Sequence, residues 1–202
     1  TMNPESVIRG ILLGKVDVGE NFIRLLVFTD LGLKTCLLRK VRKLNTFSPP
    51  DLFDDVELAL KVPNQQGLPF VKDFEIFQKR RELALDRKRF EDAGFLARFY
   101  LDNGEHLLDP KPYLQILDNA LRSFMENGSS STTLLKALYL FARSEGLPVK
   151  ESWLMSQKLR LREIAIFVLS QPVKSSPAFI QEVPELLDSL CKWFNSDTEL
   201  RC

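Results

Sequence analysis

The chain has 202 residues, 45% hydrophobic and 27% charged, and its 28 basic against 27 acidic side chains leave a formal net charge of +1. Such a chain is long enough for one large or two small domains with a real core, and its composition is that of an ordinary globular protein. Near-neutrality excludes a surface coated throughout in positive potential but leaves room for local patches.

No apolar run approaches the roughly 20 residues that span a bilayer. The first apolar stretch carries Arg9 and Lys15 and does not read as a signal peptide, and Thr1 ahead of Met2 reads as a tag remnant. Cys36, Cys191 and Cys202 show no metal-ligand spacing, and an odd, scattered set does not fit a secreted disulfide framework. The expectation is a reduced, cytoplasmic protein.

The first third reads as strand. VIRGILLG (7–14), NFIRLLVFTD (21–30) and GLKTCLLRKVR (32–42) are rich in β-branched and aliphatic residues, with turn residues at Asp17–Asn21 and Asp30–Gly32. VELALKV (56–62) alternates strictly, and LPFVKDFEIF (68–77) follows the turn-forming PNQQG. Five short strands in about 75 residues predict a small barrel, because a flat sheet of that size leaves edges open.

After Gln78 the hydrophobic period changes to that of a helix. One helix is expected from the basic run at 79 to Asn103-Gly104, with Leu83, Phe90 and Ala97 on one face. A second covers 109–128, opened by Asp-Pro, and a third covers 129–146, with Ser and Thr as caps. Single helices over 149–171 and 184–194 complete an all-helical remainder. The fold class is therefore α+β, with a barrel domain at 2–78 and a helical domain at 79–202.

Motif by motif, little points to catalysis. Gly10-x-x-x-Gly14-Lys15 lacks the spacing and the Ser or Thr of a phosphate-binding loop, so its glycines are assigned to a bend or bulge. His106 is the lone histidine, which leaves no His-based metal site or catalytic triad. Asp51, Asp54 and Asp55 sit beside Pro49-Pro50 and read as loop-shaping residues rather than a metal cluster. Most of the 15 phenylalanines belong in the core, with Phe22, Phe28 and Phe47 as candidates to stack on unpaired bases.

Charge carries the remaining signal. Residues 1–45 hold eight cations against four anions, and Arg39, Lys40, Arg42 and Lys43 crowd one strand end. They could grip phosphates or form a solvated strand end. A second cluster, Lys79-Arg80-Arg81 and Arg87-Lys88-Arg89, places basic residues seven apart, Arg80 with Arg87 and Arg81 with Lys88, along the expected helix. Six anions share residues 72–98 with it, so pairing within the helix is its simplest explanation.

Two segments carry a family resemblance. ENFIRLLVFTDLGLKTCLLRKVRK resembles the N-terminal pattern of RecO, the bacterial DNA repair and recombination mediator: a strand ending in Phe-Thr, a Gly turn, then a strand running into basic residues. FEDAGFLARFYLDNGEHLLDPKPYLQILDNAL resembles the family's first helical pair, so the similarity spans most of residues 7–145.

The resemblance implies an OB-fold barrel followed by a helical domain. It implies a non-catalytic, DNA-binding protein of the DNA-damage response that anneals complementary single strands and also binds duplex DNA. Its implied partners are RecR and the single-strand-binding protein, and its implied task is loading the recombinase RecA. Lys34, Arg39, Lys40, Arg42 and Lys43 are the implied DNA contacts, extended by Arg80, Arg81, Arg87 and Lys88. No cofactor is implied. Many members carry a four-cysteine zinc module, which this sequence lacks, so no metal site is carried over. The rival expectation is an OB-fold adaptor that binds peptide rather than DNA.

Overall fold

Hydrophobic alternation in the first 78 residues closes into a barrel of five strands, followed by helices, in a computed structural model. The structure describes residues 5–41, 48–63, 66–126, 128–175 and 179–202. The strands are β1 (Glu5–Val18), β2 (Phe22–Thr29), β3 (Gly32–Arg39), β4 (Asp55–Lys61) and β5 (Phe70–Gln78). They follow one another around the barrel as β1-β2-β3-β5-β4, which is an OB-like, α+β architecture.

β1 is long enough to serve both neighbours. Its first half pairs antiparallel with β4 and its second half with β2, overlapping at Gly10 and Ile11. A bulge between Leu12 and Gly14 bends it at the crossover. A Cβ on Gly10 would fall 2.2 Å from the Phe28 carbonyl oxygen, so the strands touch there only because glycine has none. Gly10→Ala is therefore expected to destabilise the barrel by about 1–3 kcal/mol, measurable as a lower urea midpoint.

Inside the barrel, Leu12, Leu25, Val27, Cys36, Val56, Leu58 and Leu60 form the core, with Ile8, Ile23, Leu38, Val71, Phe74 and Ile76 packed against it. Burial pushes the Cys36 thiol up to about 11, so it sits in this core as a neutral apolar side chain.

The Pro-Pro-Asp segment before β4 is a shaped loop. Phe53 is 2% exposed and takes a left-handed φ of 69°. Its amide donates to the Leu12 carbonyl at 2.7 Å, and buried Asp54 accepts the Asp51 amide at 2.8 Å. The aspartates thus hold backbone, as loop-shaping residues do.

Contacts divide the chain into two units, Thr1–Arg80 with Gly104–Leu114, and Arg81–Asn103 with Gln115–Cys202. The helices are α1 (Arg87–Asn103), α2 (Lys111–Met125), α3 (Ser130–Ser144), α4 (Leu159–Ser170) and α5 (Glu182–Asp197). The core of the second unit is aromatic. Phe99 of α1 meets Phe141 of α3 at 4.9 Å and Phe194 of α5 at 5.6 Å between ring centroids.

Two expected helices are broken. Asp86 accepts the Arg89 amide at 2.7 Å and starts α1 there, leaving Arg81–Leu85 as a separate 3-10 turn. Phe90 is consequently 40% exposed rather than part of the buried face.

The span 149–171 is a π-helical turn, Val149–Leu154, followed by α4. Ser156 Oγ and Gln157 Nε2 donate to the Trp153 carbonyl at 2.8 and 2.9 Å and end the first segment. The Trp153 indole donates to Ser189 Oγ at 3.1 Å, and that of Trp193 donates to Ser152 Oγ at 3.0 Å. This reciprocal brace ties the turn to α5. In contrast, the Ser-rich stretch behaves as expected, with Ser129 capping α3 by accepting the Thr132 amide.

The cysteines differ from a fully reduced set. Cys191 and Cys202 are bridged, with Cα atoms 5.2 Å apart, while Cys36 stays free. The chain folds back after α5, and the Asn103 side chain exchanges two hydrogen bonds of 2.8 Å with the Arg201 backbone. The bridge spans 11 residues. Removing it by Cys191→Ser is expected to cost about 3 kcal/mol of stability, read as a lower denaturant midpoint that a reductant does not lower further. Among the described residues, no helix is long and apolar enough to cross a membrane.

Candidate nucleic-acid interface

The site begins where β3 runs out of partner. β3 and β5 pair in parallel, with Leu37 opposite Phe70 and the Leu37 amide on the Pro69 carbonyl at 2.9 Å. Beside this short seam opens a cleft of about 580 Å³. Among the described residues, Ile23 of β2, Leu38 to Val41 at the end of β3, Pro49, and Val71 to Phe74 of β5 line it. Its size falls within the roughly 300–1,000 Å³ typical of ligand clefts.

A bulge makes the floor apolar. β5 carries one extra residue at Lys72, where Leu60 pairs with Val71 but Ala59 pairs with Asp73. Strict alternation would send Val71 and Phe74 to opposite faces; with the extra residue both pack on the barrel core. Lys72 is left exposed beside them.

Cations stand on both sides. Arg39 is exposed at the β3 side, and none of the described side chains pairs with its guanidinium. Lys40 is held over the β1–β2 turn, its ammonium 3.1 Å from Asp17 Oδ1 and its amide donating to the Asn21 carbonyl at 2.7 Å. On the outer face, Phe22 lies opposite Arg39 in register and its ring stands 5.7 Å from that of Phe70.

The expected DNA contacts fare differently. Arg39 and Lys40 join the cleft. Lys34 lies five positions earlier on β3, roughly 17 Å away at strand rise, so it does not belong to the same patch. Arg42, Lys43 and Phe47 lie outside the described residues.

Arg80 is a correction. It is 2% exposed, and its guanidinium donates to the Phe53 carbonyl at 2.6 Å and to Gln78 Oε1 at 3.3 Å. A buried cation committed to backbone does not present itself to a phosphate. The seven-residue stacking of the second cluster also fails, because a 3-10 turn separates its halves. Arg81 stands exposed in that turn. Arg87 bonds Glu91 at 2.7 Å, which raises the guanidinium pKa further, and Lys88 bonds buried Asp92 at 2.6 Å. Pairing within the helix accounts for both.

Among the stacking candidates, Phe28 is fully buried, and Phe22 keeps partial exposure. Lys72, Phe74 and Phe70 were missed. The bulge that brings Phe74 to the same face as Val71, and leaves Phe70 on the other, carries no composition signal.

Among the described residues, no three His, Cys, Asp or Glu side chains gather where a metal could sit. His106 is exposed beside Glu105, 3.9 Å away. The chain matches no protein-family model and no curated protein.

Proposed function

We propose that the barrel is a non-catalytic nucleic-acid-binding module and that the protein is a RecO-like recombination mediator in DNA repair. It binds single- and double-stranded DNA, promotes strand annealing and recombinase loading, and works with RecR and the single-strand-binding protein. One observation carries the DNA-binding part: exposed Arg39 and Lys72 and half-buried Lys40 flank an open cleft at the β3–β5 seam in a chain of net charge only +1. Cations there displace condensed counterions from phosphates, giving affinity that is independent of sequence and steep in salt. The annealing role and the named partners rest on the family resemblance. This reading places the protein in the cytoplasm.

The apolar lining favours one other reading, an adaptor whose cleft takes a peptide side chain. Fluorescence anisotropy with a labelled single-stranded oligonucleotide across a salt series separates the two. DNA binding predicts a linear fall of log affinity with log salt, with a slope of about −0.7 per phosphate contacted. Absence of binding at low salt refutes the nucleic-acid reading.

A further inference from the structure

We propose that the cleft is a base-insertion subsite. One unpaired nucleobase enters it, while Arg39, Lys40 and Lys72 hold the phosphates on either side. The inference rests on the nucleic-acid reading above and narrows it: the cleft distinguishes single strands from duplex, which the surface cations alone do not.

Three features support it. The floor is apolar and half-buried, formed by Ile23, Leu38, Val71 and the ring of Phe74. These side chains already pack on the barrel core, so the cleft is pre-shaped and little ordering opposes binding. Stacking on such a wall suits any base, because each has a π-face.

The charges also lie on two walls, Arg39 and Lys40 from β3 and Lys72 from β5. Within a strand every base is flanked by a phosphate before and after it, and this placement matches that alternation. A base inside a duplex is stacked and paired, and reaching the cleft would cost a few kcal/mol of unpairing. Duplex therefore meets the rim and leaves the floor empty.

The test compares four ligands on the intact chain: an oligothymidine, an abasic strand of equal length and charge, a blunt duplex, and an acidic peptide containing phenylalanine. The abasic strand is expected to bind about tenfold more weakly than the oligothymidine at the same salt. Phe74→Leu keeps an apolar side chain in the core and removes the ring. It is expected to close most of that gap while leaving duplex affinity within about twofold, and unchanged duplex binding certifies the fold.

Equal binding of oligothymidine and abasic strand overturns base insertion but leaves the phosphate contacts standing. A gap that survives Phe74→Leu overturns the assignment to this cleft. If no nucleic acid binds, both this inference and the reading beneath it fall, and peptide binding under those conditions would identify the cleft as an adaptor site.

Discussion

The double variant Arg39→Glu/Lys40→Glu loses about fifty-fold of its single-strand affinity at low salt. The plot of log affinity against log salt also becomes shallower by about 1.4, the signature of two lost phosphate contacts. Both effects follow from position. Arg39 is exposed and Lys40 is held beside Asp17 at the cleft rim, so neither substitution opens a cavity. The Lys40–Asp17 pair is exposed on the aspartate side, and such pairs contribute at most about 1 kcal/mol, so the barrel stays folded. Thermal unfolding followed by circular dichroism checks that directly. An unchanged slope would mean that the phosphates contacted lie elsewhere, and the cleft would lose its role.

Arg80→Lys separates a buried structural cation from a DNA contact. If Arg80 served a phosphate, lysine would largely retain the function, since it keeps the charge. The structure gives the guanidinium a different task. It donates to the carbonyl of Phe53, whose left-handed backbone is also held by the Leu12 carbonyl. Lysine has no planar fork to reach both that carbonyl and Gln78 from the same stem. The expected outcome is a loss of about 1.5–3 kcal/mol in urea unfolding, the range of hydrogen bonds made by charged groups. The affinity of the folded protein for DNA should not change. Full stability of the lysine variant would overturn the structural assignment and return Arg80 to the candidate interface.

Local pattern accounts for much of what was legible beforehand. Strict alternation in Val56, Leu58 and Leu60 needs no distant partner, and those side chains are the barrel core. The turn at Gly32 and the cap at Ser129 are equally local, because a positive φ and an unsatisfied amide are satisfied within a few residues. Gly10 and Gly14 were readable as a bend, though not the carbonyl of Phe28 that makes glycine necessary at Gly10.

What failed depended on side chains far apart in sequence. The break in 149–171 goes with Trp153 and Trp193 exchanging hydrogen bonds with serines on each other's segments. The cysteine bridge required a chain reversal that no spacing announces. Of the candidate interface, Arg39 and Lys40 were visible as a dense basic run, whereas Arg80 in an equally basic run is buried.

The amino-acid sequence by itself determined a five-stranded barrel followed by helices and a basic end to the third strand, because periodicity and charge density are properties of short segments. Only the tertiary structure decided which cations reach solvent. It also showed that an extra residue at Lys72 turns Val71 and Phe74 to the same side, beneath Arg39 and Lys40. Burial and strand register depend on what packs against a residue, and for these residues the partners come from strands tens of positions away.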